Sequence, residues 1–387
     1  MGRIAAVAPV VCNVSPKTNW TFVKVTTDDG AVGVGECSLN GWEPLLTSYC
    51  AMLAPRLAGC DVDAAVARLA YVPHSPGGLV VHAVKSAVEQ ALAGLRAAAQ
   101  GRSVSAMLST SPRAAVPAYA NINRGVKERS PAGFGDAARR AVAAGYRAVK
   151  LAPFDGVIAQ DAGHTPIDER IRAGLDRIFA VRDAVGAAVD VMVDCHWRFD
   201  EARATALLRD LENARLFWIE CMTTEHPEGF PAIARLTALA HERGMRTAGG
   251  EMITGADGAR AMCKAGLYDV LMPDIKYAGG FAGMHAIAQV CEAHGVAFAP
   301  HNPTGPVAHV ASIHACAVEP ATLILEHQWN ESPLFGTLVG DALPALTDGA
   351  FAVPAGPGLG VEPDPAVVAA HPYRALPADA NLDERLG

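Results

Sequence analysis

The chain has 387 residues, 51% hydrophobic and 19% charged, with 37 Gly and 26 Pro; this length supports a large core and two domains, and the composition excludes a disordered or fibrous chain. Net charge is −8 with no clustered Lys/Arg tract, so nucleic acid is excluded as a partner class. Nine cysteines without a C-x-x-C pair exclude a zinc ribbon, and the absence of a run of about 18 uncharged apolar residues excludes an expected membrane span.

Residues 1–50 alternate in strand fashion. In TFVKVTTDDGAVGVGE (21–36) two such runs meet at Asp28-Asp29-Gly30, a hairpin signal. The opening MGRIAAVAPVVC is broken by Pro9 and passes straight into this pattern, so it does not read as a secretory leader. Residues 44–110 are Ala- and Leu-rich with helical period, and Gly101 is placed to cap VKSAVEQALAGLRAAAQGR. Strands followed by helices predict a small α+β domain.

From Val116 the pattern becomes regular. VPAYANI (116–122) reads as a strand. Residues 137–151 give a helix, a glycine and a strand reaching Lys150. Helix 167–187 leads to VDVMVD, and helix 201–214 leads to LFWIE. Helices 231–244 and 256–266 flank RTAGGE, helix 281–295 precedes VAFAPH, and ATLILEH (321–327) comes last. Eight strands with helices between them predict parallel pairing in an α/β barrel. VPAGPGLGVEP (353–363) reads as a flexible tail on composition alone.

Acidic residues close four successive apolar runs, at Asp194, Glu220, Glu251 and Asp274, and His301 closes the next, at intervals of 26, 31, 23 and 27 residues. Each interval is one βα unit, so all five residues belong to the C-terminal rim where such barrels keep their chemistry. Converging carboxylates repel unless a cation sits among them. Oxygen donors favour Mg²⁺ and then Mn²⁺, with Asp194, Glu220 and Glu251 as the expected ligands. Asp274 beside His301 would set the imidazole tautomer and support a general base; the alternative is a structural hydrogen bond. His196, two residues past Asp194, faces the same way on an extended strand, as a proton donor or as a metal partner. Lys150 either binds a substrate carboxylate or is a surface lysine.

These strand ends, with GAVGVGE, SAVEQALAGLRAAAQGR, WIEC, GGEMITG, MPDIKYAGG, PHNPTGP and PGPGLGVE, resemble the enolase superfamily, mandelate racemase subgroup, over nearly the whole length. The resemblance implies a (β/α)7β modified TIM barrel at 116–351. It also implies an α+β capping domain made of 1–115 and a returning segment, 352–387. One Mg²⁺ and abstraction of a proton α to a carboxylate are implied with it. Two departures narrow the reading. The subgroup's Lys-x-Lys is Lys150-Leu151-Ala152 here, and Asp194-Cys195-His196 carries His where racemases have Asn. Together these resemble the galactonate dehydratase type. There the residue matching His301 takes the α-proton and that matching His196 protonates the departing 3-hydroxyl. Lys150 would steady the substrate carboxylate. Glu326 would do so in protonated form, or would hydrogen-bond another hydroxyl. The usual Glu-Glu-Pro is Glu220-Cys221-Met222, which keeps the ligand but alters the local backbone.

The expected activity is an Mg²⁺-dependent dehydratase turning a sugar acid, aldonate or aldarate, into a 2-keto-3-deoxy acid. The expected setting is the cytoplasm, where scattered thiols stay reduced. A homo-oligomer acting on a small-molecule carboxylate is expected, with neither nucleic acid nor membrane as partner. A racemase, epimerase or cycloisomerase with Lys276 as a second base is the alternative. A barrel that binds a carboxylate without turnover is a third. Specificity is expected in loops at Cys12–Trp20 and Trp42–Tyr49.

Overall fold

The computed structural model describes residues 2–71, 78–158 and 167–376; the end of the expected returning segment, 377–387, lies outside the described residues. The chain opens with an antiparallel sheet in the order β1 (Ile4–Ser15), β2 (Thr18–Thr27), β3 (Val32–Glu36). The second hairpin turns at the predicted Asp28-Asp29-Gly30, with Gly30 at φ 88°. Three helices back the sheet: α1 (Glu43–Leu57), α2 (Val62–Tyr71) and α3 (Gly78–Ala99). Val84, Ala87, Val88, Ala91 and Leu95 of α3 share one core with Val23 and Val25 of the sheet and Leu46 and Leu53 of α1. The glycines of GAVGVGE set how close sheet and helix come. A Cβ on Gly35 would stand 1.9 Å from the Ala87 carbonyl oxygen, and one on Gly33 2.2 Å from that of Ala91. Gly101 ends the helical run as expected, at φ 65°.

After the short α4 (Val104–Leu108) the barrel begins. Its strands are β4 (Ala115–Asn121), β5 (Ala148–Leu151), β6 (Asp190–Asp194), β7 (Trp218–Glu220), β8 (Arg246–Gly249), β9 (Val270–Leu271), β10 (Ala297–Phe298) and β11 (Leu325–Gln328). Neighbours from β4 to β10 pair in parallel, and β11 returns to pair with β4. Between β10 and β11 the join is short: the Leu323 N–H donates to the Phe298 carbonyl at 2.8 Å. The crossovers are α5 (Pro131–Ala143), α6 (Ile167–Val185), α7 (Glu201–Asp210), α8 (Phe230–His241), α9 (Ala256–Lys264), then a one-turn α10 (Ile275–Ala278) with α11 (Gly280–His294), and α12 (Pro306–Val318). This is the expected (β/α)7β order. Tyr119, Met192, Trp218, Val270 and Met272 fill the interior with small Ala148, Ala248 and Ala299 between them. Trp218 meets Tyr119 edge-on at 5.5 Å. Burying each such side chain stabilises by roughly 1.5–3 kcal/mol, so the barrel is a packed core with a site only at its rim. A small hairpin, β12 (Leu346–Thr347) and β13 (Ala350–Ala352), pairs with β4 from outside the parallel set.

The Gly/Pro-rich stretch after the barrel is held, not loose. The Val104 N–H donates to Gly358, the Asn13 N–H to His371, and Lys24 pairs with Glu362 at 3.0 Å. Among the described residues no helix is long and apolar enough to cross a membrane.

Two capping-domain carboxylates lock onto barrel helices. Glu36, fully buried, accepts from the Thr304 hydroxyl at 2.7 Å, the Gly305 N–H at 2.8 Å and the Ala308 N–H at 2.9 Å, at the start of α12. Glu89 on α3 accepts from the Phe281 N–H at 2.7 Å at the start of α11. Helix N-termini favour such anions. Burial nevertheless pushes the Glu89 carboxyl up from 4.5 to about 7, against the pull of the Phe281 and Ala282 N–H groups. A raised acid pKa favours the folded state below the unfolded value and loses that contribution as pH rises through 7. Glu89→Gln is therefore expected to flatten the fall in stability between pH 5 and 8 by about 1–2 kcal/mol. Urea unfolding at several pH values checks this; parallel curves for the two proteins would refute it.

Candidate active site

The barrel rim and the capping sheet enclose one chamber. Thr18, Trp20 and Ser38–Asn40 line it from the sheet, and Lys150, Asp194, His196, Glu251, Lys276 and His301 line it from the barrel. A second, outer chamber shares Thr18, Asn123, Arg124, Asp194 and His196 with it. The expected specificity loop at Trp42–Tyr49 is corrected: Glu43 already starts α1, and the lining comes from Ser38–Asn40 just before it.

Asp194 ends β6. Its Oδ1 accepts the His196 backbone N–H at 2.8 Å, and its Oδ2 lies 2.8 Å from His196 Nε2. His196 and Trp197 have left-handed φ values of 48° and 56°. His196 thus reaches the chamber by folding back on Asp194, not by the strand alternation that the sequence suggests. Burial opposes charge on Asp194, but the His196 imidazole and Lys150 hold its carboxyl below the usual range.

Glu251 lies two residues beyond β8, after Gly250 at φ 87°. Asp194, Glu251 and Cys221 offer donor atoms that all lie within 4.8 Å of one another. The Cys221 thiol donates to Glu251 Oε1 at 3.7 Å. Burial, and then repulsion from Asp194, push the Glu251 carboxyl well above its usual value. Burial and the Glu251 charge raise the Cys221 thiol as well, so it stays neutral. A cation between the two carboxylates would relieve this repulsion, and buried carboxylate oxygens fit a hard divalent ion.

Glu220 is the exception. Of the three expected carboxylates, Asp194 and Glu251 stand together with the Cys221 thiol, and Glu220 turns to Lys150 and Trp218. Glu220 Oε1 accepts from Lys150 Nζ at 2.6 Å and Oε2 from Trp218 Nε1 at 2.5 Å. Its carboxyl is pushed up to about 8 by burial and by Asp194 and Glu326, against the Lys150 charge. Cys221 takes φ 50°, which ends the extended geometry right after Glu220 and swings Sγ towards Glu251.

Lys150 is 1% exposed, which removes the surface-lysine alternative. Its Nζ stands 2.6 Å from Glu220 and 2.9 Å from Glu326. Burial works against its charge, but these two carboxylates raise its pKa well above the usual value. Glu326 is fully buried and does not line the chamber. It accepts from Asn121 Nδ2 at 2.7 Å and the Asn302 N–H at 2.8 Å as well as from Lys150. Burial opposes its charge, yet Lys150, His301 and the Asn302 N–H hold the carboxyl below its usual range. Glu326 thus stands behind Lys150, with Lys150, Asn121 and Asn302 as its partners.

Asp274 caps α10, its Oδ1 accepting the Lys276 N–H at 2.8 Å. Its Oδ2 meets His301 Nδ1 at 2.9 Å and Lys276 Nζ at 2.6 Å. His301 Nε2 looks the other way, 3.4 Å from Glu251 Oε2. Burial works against charge on both Asp274 and Lys276, but each holds the other ionised, which raises the Lys276 ammonium and lowers the Asp274 carboxyl. Lys276 is thus a cation in the chamber and not a free amine.

The structure brings together Asp194, His196, Glu251, Asp274, His301 and Lys150, and it sets Glu220 and Glu326 behind Lys150. Asn121, Cys221 and Gln328 also stand at the site. Asn121, inside the predicted strand 116–122, ends β4 and lies opposite Lys150. The thiol of Cys221 carried no signal in the sequence.

Comparison with known proteins gives the family and the fold. Residues 133–367 match the family Enolase C-terminal domain-like, and residues 5–109 match the Mandelate racemase / muconate lactonizing enzyme, N-terminal domain. A D-galactonate dehydratase of Verminephrobacter eiseniae is 30% identical over 90% of each chain. A D-gluconate dehydratase of Thermoproteus tenax is 32% identical over 77% of this chain, which spans 58% of that relative's length. Among solved structures, a mandelate racemase/muconate lactonizing enzyme from Jannaschia sp. CCS1 superposes with TM-score 0.83 at 26% identity, over 96% of this chain and 98% of that one.

Proposed function

We propose that this chain, which belongs to the enolase superfamily and within it to the mandelate racemase / muconate lactonizing enzyme group, is an Mg²⁺-dependent dehydratase of a sugar acid. It removes the proton α to the carboxylate and expels the 3-hydroxyl as water, leaving a 2-keto-3-deoxy acid. The observation that carries this reading is a pair of histidines facing one chamber, each tied to its own buried carboxylate: His301 to Asp274, and His196 to Asp194. Relatives named as galactonate and gluconate dehydratases support it.

His301 is the base. With Nδ1–H donating to Asp274, the lone pair is on Nε2, which faces the chamber. Asp274 stabilises the imidazolium once the α-proton has moved to Nε2. His196 is the acid, giving its proton to the 3-oxygen as the C3–O bond breaks. The electron pair of the α C–H bond becomes the C2–C3 double bond, and the resulting enol tautomerises to the keto acid. Lys150 meets the substrate carboxylate, held in place and charged by Glu220 and Glu326. Asp194 and Glu251 would hold Mg²⁺, with Glu220 as the third oxygen donor. When bound, the ion supplies Lewis-acid neutralisation of the charge that develops on the carboxylate.

A racemase would need a second base. Ala152 stands where a lysine would supply one, and Lys276 is held as a cation by Asp274. The test is incubation of the Mg²⁺-loaded protein with aldonates and aldarates, reading 2-keto acid formation. Interconversion of α-epimers in place of keto acid would refute the dehydratase reading.

A further inference from the structure

Gln328 ends β11 and is 3% exposed, yet it lines the chamber. Among the described residues neither its Oε1 nor its Nε2 has a hydrogen-bond partner. Its neighbours are different. In register, Gln328 lies opposite Asn121, and Asn121 opposite Lys150, so the three form one row across β11, β4 and β5. Lys150 is bonded to two carboxylates, and Asn121 donates to Glu326 and accepts from the Asn123 N–H at 3.0 Å. A buried carboxamide with both ends unmade is costly, and a ligand that completes it removes that cost. A carboxamide offers one acceptor and two donors, which is what a hydroxyl, itself donor and acceptor, satisfies.

Resting on the dehydratase reading, we infer that Gln328 binds hydroxyls on the distal carbons of the substrate, and that the substrate is an aldonate with an uncharged polyhydroxyl end. The row fixes the direction: the carboxylate lies at Lys150 and the chain runs past Asn121 to Gln328. The charge pattern fixes the class. Lys150 is taken by the first carboxylate, and the other cations lining this chamber each have a carboxylate already: Lys276 has Asp274, and Arg124 has Glu331 at 3.3 Å. A second carboxylate placed near Gln328 would meet a neutral amide and no uncompensated cation. The exposed Lys17 and Lys127 belong to the outer chamber. Sites built to hydrogen-bond a hydroxyl discriminate strongly against analogues lacking it, because the buried polar group is then left unpaired.

The test uses the Mg²⁺-loaded full chain in a His301→Asn background, so that ligands bind without turnover. D-gluconate, galactarate and glycerate are titrated by calorimetry into that protein and into the same protein carrying Gln328→Leu. The expected result is gluconate tighter than glycerate by tenfold or more, with galactarate no tighter than gluconate. Gln328→Leu then lowers the gluconate-to-glycerate ratio at least tenfold and melts no lower than its parent. An unchanged ratio, or tighter galactarate, overturns the inference and leaves the dehydratase reading standing. A Gln328→Leu protein that melts far below its parent overturns it too, because that amide would be holding the fold. If none of the three acids binds, the dehydratase reading falls with it.

Discussion

His301→Asn is expected to abolish both dehydration and exchange of the substrate α-proton with D₂O, whereas His196→Asn lowers dehydration by about 10²–10⁴ and leaves exchange measurable. The asymmetry follows from the order of bond changes. Without Nε2 of His301 no group in the chamber takes the α-proton. Ala152 has no base, and Lys276 is committed to Asp274 at 2.6 Å. Without His196 the α-proton still leaves and returns, and only expulsion of the 3-hydroxyl suffers. Proton NMR in D₂O reads exchange, and a keto-acid assay reads dehydration. Retained exchange with lost dehydration in His196→Asn is the decisive pattern. A His196→Asn protein with wild-type turnover would leave His196 as a partner of Asp194 alone and would remove the main support for an eliminating enzyme.

The second large effect concerns the metal. EDTA is expected to stop turnover, and Asp194→Asn and Glu251→Gln are each expected to weaken Mg²⁺ binding by tenfold or more, because each removes one of the two carboxylates that already converge. Glu220→Gln and Cys221→Ser separate the remaining possibilities. Burial, Asp194 and Glu326 disfavour a charge on Glu220, and Lys150 favours it. A cation beside Asp194 shifts that balance towards the ionised, oxygen-donating form. The neutral thiol of Cys221 has no such affinity for a hard ion. Glu220→Gln should therefore weaken Mg²⁺ binding, and Cys221→Ser should leave it within about twofold, both measured by calorimetry against the folded apoprotein. The reverse order would transfer the third position to Cys221 and predict a preference for softer cations such as Cd²⁺ or Zn²⁺. Turnover undiminished by EDTA would end the metal assignment altogether.

Much of this architecture is readable in the primary structure, and the reasons are local. Spacing of 23 to 31 residues between strand-end acids is one βα unit, and chain direction in a parallel barrel then puts every strand end on one rim. That argument needs no knowledge of side-chain direction, and it places Asp194, Asp274 and His301 correctly. It weakens where the chain has left the strand. Glu251 and His301 lie two and three residues beyond the ends of β8 and β10, and Asp274 acts as a helix cap. It fails for the orientations of His196 and the Cys221 thiol. Two-residue alternation assumes extended backbone, but residues 196, 197 and 221 all take positive φ. None of the three is glycine, so composition gave no warning. The strand end at Glu326 is visible in the sequence, but its three donors, Lys150, Asn121 and Asn302, come from different strands and loops and are shown only by the folded chain.

The grip of Glu36 on Thr304, Gly305 and Ala308 bears on whether this protein can be rebuilt from parts. The segment it holds begins three residues after His301, so the N-terminal sheet that shapes the chamber also anchors the chain beside the base. A chimera that takes its first hundred or so residues from a relative would carry over a foreign lining and a foreign anchor together. Recombination at the interdomain joint therefore has to exchange the Glu36 carboxylate and its receptors at 304–308 as one block. Random shuffling that separates them is expected to yield folded barrels with a displaced histidine, and swaps that keep the block whole are the ones from which new substrate preferences should be recoverable.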